Sequence, residues 1–552
     1  MKRLLILLWL TFSSGILFAQ STFVPYNRDY YHLIDRFHIR FADDPDFLQM
    51  AFKPVRRADL AEFLLSIEDR YDSLSPADKF NFQYLMNDNW LWTNSKFNKN
   101  EKHWWNIFYD KKSDFYQYRT EGFNLRLNPV VDFTVGNDTE QDGILYTNTR
   151  GVEAIGNIDE KIGFYTFLST TQARFPEYVH QLITERGAFP NEASWKRFGD
   201  SDYDFFHARG YFTFNLTKSI DVQAGYDKQF IGDGLRSMIL SDFSSPFLFA
   251  KINTRVGRFQ YTNLYSQLTA DVFFNQGFPA EGTYPTKFFT MHRLGVNITP
   301  RLNIGVSEFI VAEEAELEYY NPIIFLRAAE LFRGSPNNTL LSLDWSWNIK
   351  NSIKFYGQMI IDDFEIDAIR SGLKGWENKF GIQLGAKYID AFKIPNLDLQ
   401  GEFNIARPYF YAYEEPAASY TNFRNPLAHP LGANFRELLL VGRYQPFNKV
   451  TVTGKIIRSE FGEDMDGMNF GGNPLLDTDT RIGQTGITIG QGALAKVTYV
   501  EGVGSYMLLH NMFIDLRAAY RNLNSELPGR SNNSFFTTLT LRWNMAKRQH
   551  EF

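Results

Sequence analysis

The 552-residue sequence contains no cysteine. Disulfide frameworks and thiolate metal sites are therefore excluded, and no lipid-bearing cysteine can follow an export signal. Long apolar runs are missing as well. The longest, residues 4–10, is far short of the ~20 residues that a membrane-crossing helix needs, so a protein that crosses the membrane by a bundle of helices is not expected. Charge of one sign is absent: 57 Lys and Arg stand against 63 Asp and Glu, a formal net charge of −6. With no basic patch, nucleic acid is not an expected partner. Nine histidines (32, 38, 103, 180, 207, 292, 429, 510 and 550) form neither a His-Glu-x-x-His nor a His-x-x-Glu-His pattern. No Gly-x-Ser-x-Gly elbow occurs. No catalytic residue, metal site or cofactor is assigned, and the chain reads as a non-enzyme; a hydrolase built from distant strands is the alternative.

What the chain does have is export chemistry and a rhythm. Lys2 and Arg3 precede the apolar residues 4–10, and small residues follow. This reads as a secretory signal over residues 1–19, cleaved after Ala19, with an N-terminal anchor as the competing reading. From about Phe115 to Phe552, stretches of roughly ten residues alternate apolar and polar, the spacing of strands with one apolar and one polar face. In residues 123–135, Phe123, Leu125, Leu127, Val131, Phe133 and Val135 alternate with Asn124, Arg126, Asn128, Asp132 and Thr134. In residues 397–405, Leu397, Leu399, Phe403 and Ile405 oppose Asp398, Gln400, Glu402 and Asn404.

Connection lengths decide between a soluble sandwich and a membrane barrel. Eighteen candidate strands are joined by alternating short and long connections. Short ones fall near residues 157–160, 217–219, 257–258, 299–301, 348–351, 391–395, 446–448 and 510. Long ones cover 175–203, 230–246, 275–285, 313–337, 365–375, 408–432, 462–491 and 525–532, and only the first outer loop, 137–142, is short. A sandwich has no reason to sort its loops this way, whereas an outer-membrane barrel sets turns in the periplasm and loops outside. Aromatics make up 16% of the chain, as a lipid-facing band with girdles requires, yet mean hydropathy is −0.32 because the lumen and loops are polar. The expected fold is an all-β transmembrane barrel of about 18 antiparallel strands with a small N-terminal α-helical periplasmic plug, and the expected place is the outer membrane.

Residues 20–114 differ in texture from the barrel at 115–552. Residues 56–70 carry Leu60, Phe63, Leu64 and Ile67 on one helical face, and Ser75-Pro76 marks the start of a second helix to about Trp92. Both are expected to pack together and close the periplasmic mouth, as a plug, a docking site or a plain cap. The lumen should hold Arg126, Asp132, Arg209, Asp221, Asp227, Glu402, Asp515, Arg517, Arg521 and Arg542, a mixture that implies an ion-paired interior. The acidic loop 463–469 is a fragment of a calcium loop without its closing glutamate, and reads as an acidic turn. Outer-loop aromatics and acids are candidate sugar contacts: Trp195, Tyr284, Glu316, Tyr319, Tyr320, Tyr409 and Tyr411, with Tyr413 sharing their ambiguity between sugar platform and interfacial girdle.

A family resemblance adds to this. The stretch Tyr226-Asp227-Lys228-Gln229-Phe230-Ile231-Gly232-Asp233-Gly234-Leu235-Arg236-Ser237, followed by Leu240-Ser241-Asp242, resembles the signature region of the Wzi-like capsule assembly family. So do Asn253-Thr254-Arg255, Glu318-Tyr319-Tyr320-Asn321-Pro322, Gly334-Ser335-Pro336-Asn337-Asn338 and the leader around Arg57-Ala58-Asp59. Members from Bacteroidota, a group that includes the gliding motility protein RemB, are the most similar. The resemblance implies an eighteen-stranded outer-membrane barrel with a helical plug and a lectin-like role in holding capsular polysaccharide. The partners it implies are cell-surface polysaccharide, outer-membrane lipid, and capsule-export or gliding proteins. A gliding surface protein or adhesin and a transport pore are the alternatives.

Overall fold

The computed structural model describes residues 21–43, 48–93, 97, 108–192, 195–199, 201–270, 284–332, 334, 337–363 and 374–552. The expected signal, residues 1–19, and most of the loop at 365–375 lie outside them. Eighteen long antiparallel strands, from Phe123–Asp138 to Asn532–Trp543, close into one barrel. Closure pairs Val131–Asp138 of the first with Trp543–Phe536 of the last. Lower on the first strand, Asn124–Leu127 pairs instead with the short strand Asp114–Arg119, which fills the seam.

The alternation in the sequence becomes the two faces of the wall. Asp398, Gln400, Glu402 and Asn404 are buried in the lumen, whereas Phe403 is 40% exposed on the outer face. The eight short connections all stand at one end of the barrel. Two of them place consecutive residues at positive φ, Asp159–Glu160 and Lys350–Asn351, as two-residue hairpin turns of the I′ kind require. No helix among the described residues is long and apolar enough to cross a membrane. The strands are the crossing elements, and the molecule is an outer-membrane barrel with its turns on the periplasmic side and its loops outside.

Three leader helices close the short-turn end. Helix α1 is Arg28–Arg40, α2 is Arg57–Ser66 and α3 is Pro76–Asp88. Ser75 caps α3 as its sequence signals, accepting a bond from the Asp78 N–H at 3.1 Å. Helix α1 is an addition to the sequence expectations, although Tyr30, Tyr31, Ile34 and Phe37 have helical spacing and Asn27 caps it. It carries the main seat on the barrel. Arg36 donates to Asp78 at 2.8 Å and to Asp390 at 2.6 Å, and pairs with Asp398. Asp35 accepts from Lys354 at 2.5 Å and from Lys387. Helix α2 contributes Asp59 to Arg255 at 2.6 Å, and α3 sets Asn81 on Gln445 at 2.7 Å.

The lumen is charged and paired. Arg126 meets Asp114, Arg542 meets Asp515, and Arg209 lies 3.5 Å from Asp227. Arg293, fully buried, clasps Asp344 with two bonds of 2.9 and 2.6 Å. Glycines beside it make this possible: a Cβ at Gly305 would stand 2.2 Å from the guanidinium. The wall is thin where the buried fork has to lie flat.

Two outcomes check this arrangement. A tag inserted near Gly467, exposed in a long loop, should be labelled on intact cells, and one at Asn351 only after permeabilisation; the reverse would invert the topology. Removing one member of the Arg293–Asp344 pair strands a buried charge, so Asp344→Ala should cost about 3–5 kcal/mol in reversible urea unfolding in lipid. Arg293→Met combined with Asp344→Leu should recover most of that loss, since the stranded charge and not the missing attraction carries the penalty.

Candidate functional site

Whatever this barrel handles must meet either its lumen or its loop end. The loop end folds inward. Residues 228–246 leave the strand Ile220–Asp227 and dive into the barrel, where Ile231, Leu235, Met238, Ile239 and Leu240 are buried. Their backbone has to be satisfied there, and lumen side chains do it. Glu402 accepts from the N–H groups of Leu235 and Arg236 at 2.7 and 3.1 Å. Gln358 donates to the Ile231 carbonyl at 2.8 Å and accepts from the Met238 N–H at 2.7 Å. Residues 228–242 of the stretch quoted from the sequence lie in this inward loop. Its Phe230–Ile231 pairs with Phe52–Lys53 of the leader, so the two plugs meet as a small antiparallel ribbon inside the barrel.

A second inward loop, residues 407–434, locks over the first. Tyr411 donates to the Met238 carbonyl and Tyr420 to the Ile239 carbonyl at 2.6 Å. Tyr409 donates to the Asn469 carbonyl at 2.9 Å and accepts from the Ile482 N–H, tying in the neighbouring loop. Residues 544–552 fill much of what remains. They turn back from Trp543 into the lumen, where Glu551 pairs with Arg28 at 2.6 Å and Lys455 at 2.8 Å. Arg548 pairs with Glu192 at 2.9 Å, and Phe552 packs edge-on against Tyr178 and Phe243. Beside them lies a cavity of ≈ 320 Å³, reaching from Asn448 and Asn511 at the turns to Phe189 of the connection 175–203 and to Phe243 and Pro430 of the inward loops.

The seven candidate sugar contacts therefore do not form one platform. Tyr409 and Tyr411 are fully buried, held as pins between loops, and present no ring face to solvent. Tyr319 is buried too, accepting a bond from Asn337, and Tyr320 packs on Tyr265 against the outer side of the barrel wall. Glu316 is half-buried at the start of that same segment. For these four tyrosines, sequence pattern alone could not tell an aromatic at a loop tip from one folded back into protein. Tyr284 and Trp195 remain at the loop end and partly open. Tyr284 packs against Phe423 at 5.5 Å. Trp195 stands edge-on to Tyr203 at 5.2 Å, with His180 and Arg197 next to it. The structure adds Trp376, which the sequence reading passed over. Arg481 lies 4.0 Å above its ring, and its N–H donates to the Gln484 carbonyl at 3.1 Å. In the acidic loop, Glu463 pairs with Arg530 at 3.0 Å and Asp464 accepts from the Phe470 N–H at 2.6 Å.

These features define an outer-membrane β-barrel whose lumen is occupied by its own chain. No family model matches the sequence, and no curated protein matches it. Among solved structures, the fold is similar to Wzi of Escherichia coli, described as an outer-membrane protein involved in group 1 capsule assembly and a carbohydrate-binding β-barrel. The TM-score is 0.57 at 12% identity, over 95% of this chain and 100% of that one. OccK8 (OprE) of Pseudomonas aeruginosa aligns at a TM-score of 0.43 and 8% identity, over 76% of this chain and 97% of that one. OprD of the same organism aligns at 0.40 and 11%, over 78% and 96%.

The seat of the plug is sensitive to acid. Burial alone would raise the Asp35 carboxyl, but Lys354 and Lys387 overcome this and hold it well below the usual range. Asp78 is likewise held low against its burial by Arg36 and Arg40. Stability from such groups is complete above the unfolded carboxylate value near ~4 and is lost as the pH falls through the lower folded values. Burial also pushes His38 down to about 4, so its contribution declines from the unfolded value near ~6.5 downward. In planar bilayers the protein should show little steady conductance at pH 7, and channels should appear below about pH 4 as the plug loosens. Large steady channels at neutral pH would mean that the lumen is open.

Proposed function

We propose that this chain is a surface carbohydrate-binding protein of the outer membrane, one that holds a cell-surface polysaccharide without turning it over. One observation carries the reading. The lumen is occupied from both ends by the leader, the two inward loops and residues 544–552, so ligand contact falls to the outer surface. The fold likeness to a carbohydrate-binding barrel supports it. Capsular polysaccharide is the substrate class we favour.

Trp195, Tyr284 and Trp376 are the proposed stacking rings. Flat aromatic faces cover the C–H surface of a pyranose ring, and Arg197 and Arg481 beside two of them suit an acidic sugar. Glu316 is retained as a contact for hydroxyls at the edge of this surface. Each site would be weak, because a few stacking contacts leave little surplus after ordering costs. Retention of a long polymer then arises from many barrels acting on one chain, where linkage multiplies affinity by about 10²–10⁴.

Purified barrel in nanodiscs, incubated with extracted acidic capsular polysaccharide, should retain the polymer. The triple variant Trp195→Ala, Tyr284→Ala and Trp376→Ala should weaken retention about tenfold or more while the heat-modifiable folded band on gels is unchanged. Unchanged retention by the triple variant would reject these rings as the site. Absence of any polymer binding by the parent protein would reject the carbohydrate reading and leave a scaffold for a protein partner.

A further inference from the structure

The outer wall carries a feature that neither a plug nor a sugar platform explains. In the strands Phe259–Thr269, Thr286–Thr299 and Leu302–Ala312, register sets Asn263 opposite His292 and His292 opposite Glu308. Lumen-facing residues alternate with them: Thr262 and Leu264, Met291 and Arg293, Ser307 and Phe309. Asn263, His292 and Glu308 therefore form one cross-strand row on the membrane side. The row continues into Ile252 and Leu341, and the next row toward the turns is Tyr261, Leu294, Val306 and Leu343. Asn263 stands five residues past the short turn at 257–258. That is about 16 Å along the strand, or about 12 Å in height at a ~40° tilt, near the middle of a ~25 Å apolar band.

A polar row at that depth is costly on a lipid-facing wall. All three residues are nevertheless buried, at 2%, 3% and 7% exposure. The cover is the segment that follows the strand ending at Ala312. The Pro322 carbonyl accepts from the Tyr261 hydroxyl at 2.8 Å and from the Asn263 amide at 3.0 Å. The Ile324 carbonyl lies 3.2 Å from Nδ1 of His292. Tyr319, Leu326 and Ala329 pack on Ile310 and Ala312 of the same wall. Having left the barrel at its loop end, the chain descends its outer side as far as the Asn263–His292 row, and returns through the short helix Leu326–Phe332. The face turned away from the barrel is apolar: Leu317, Ile323, Phe325, Leu331 and Phe332, with Ile323 at 87% and Phe332 at 91% exposure. Glu318 and Arg327 are exposed on the same segment, and long charged side chains near a membrane boundary extend to its polar side.

We infer that residues 317–332 are embedded in the outer leaflet, where they shield the Asn263–His292–Glu308 row and offer Ile323, Phe325 and Phe332 to lipid acyl chains. The occupant is lipid and not solvent because the patch is continuous with the apolar wall at Leu341, Leu343 and Val306. The segment's own backbone is served locally, with the Ile323 N–H on Asn321 and the Ala329 N–H on the Phe325 carbonyl. This follows from the barrel's place in the membrane and is independent of whether it binds sugar.

The chain's lack of cysteine makes the test clean. Ile323→Cys, Phe325→Cys and Phe332→Cys would each be compared with Gly467→Cys, all at exposed positions. On intact cells, a membrane-impermeant maleimide should label the three at less than about a tenth of the Gly467→Cys level, and all four equally once the protein is unfolded in hot dodecyl sulfate. In proteoliposomes, an environment-sensitive fluorophore on the three thiols should be blue-shifted and quenched by phosphatidylcholine brominated on its acyl chains. Labelling of the three on intact cells at the Gly467→Cys level would overturn the inference and return the segment to the cell surface. Protection from the maleimide without quenching by brominated lipid would also overturn it, since protein would then be the cover.

Discussion

Each charge on the inner face of this barrel has to be answered inside the barrel, and the rest of the structure follows from that constraint. Period-2 strands with apolar outer residues leave no choice about where Arg126, Arg293, Glu402 and Asp515 point. Within one wall, residues on nearby strands answer some of them, as Arg293 and Asp344 do across the strand between them. Others can be answered only by chain brought in from outside the wall. Asp398 and Asp390 receive Arg36 of the leader, Lys354 and Lys387 receive Asp35, and Glu437 receives Arg236 of the inward loop. Leader, inward loops and residues 544–552 are thus the counter-charges of the wall as much as they are obstructions in it. Burying ion pairs contributes little net stability, but removing one partner is strongly unfavourable. A barrel built this way opens only by breaking many such pairs together.

The same constraint shapes the loops. An inward loop has backbone groups to satisfy as well as charges. Glu402 and Gln358 serve the backbone of residues 228–246, which explains why amide and carboxylate side chains line the lumen opposite that loop. Tyrosines then fasten one loop to the next with a ring buried in the apolar filling and a hydroxyl on a carbonyl, the use to which their two-part chemistry is suited. Tyr409, Tyr411 and Tyr420 are all of this kind. The aromatic richness that reads from the sequence as one lipid-facing population therefore divides into a wall population, a lumen population and a small number of rings at the surface.

How much of this was legible depended on how local the signal was. Strand existence, the two faces and the order of short and long connections rest on neighbours one or two residues apart, and they read directly from the alternation around Phe123 and Leu397. Helices α2 and α3 carried local periodicity and a Ser-Pro start. The charged lumen residues were named, but their partners come from the far side of the fold: Arg36 and Asp398 are 362 residues apart. Tertiary placement also decided the tyrosines. Tyr320 and Tyr284 have similar surroundings in sequence, yet one lies on the outer wall and the other at the loop end. Trp376 escaped notice because its platform is assembled from Arg481 and Gln484, a hundred residues onward.

A filled lumen also limits what kind of ligand contact is physically available. A pore earns selectivity from a lining that substrate can touch, and here much of that lining is already touched by the chain itself. Phe189, Phe243 and Pro430, which line the cavity beside residues 544–552, are themselves buried. The outer surface has no such barrier, and on the reading proposed above each of its sites would be weak. Weak sites are effective only when many act on one ligand, which favours a repeating polymer over a small molecule. On the reading proposed above, the barrel would serve as a membrane-fixed post for such a polymer.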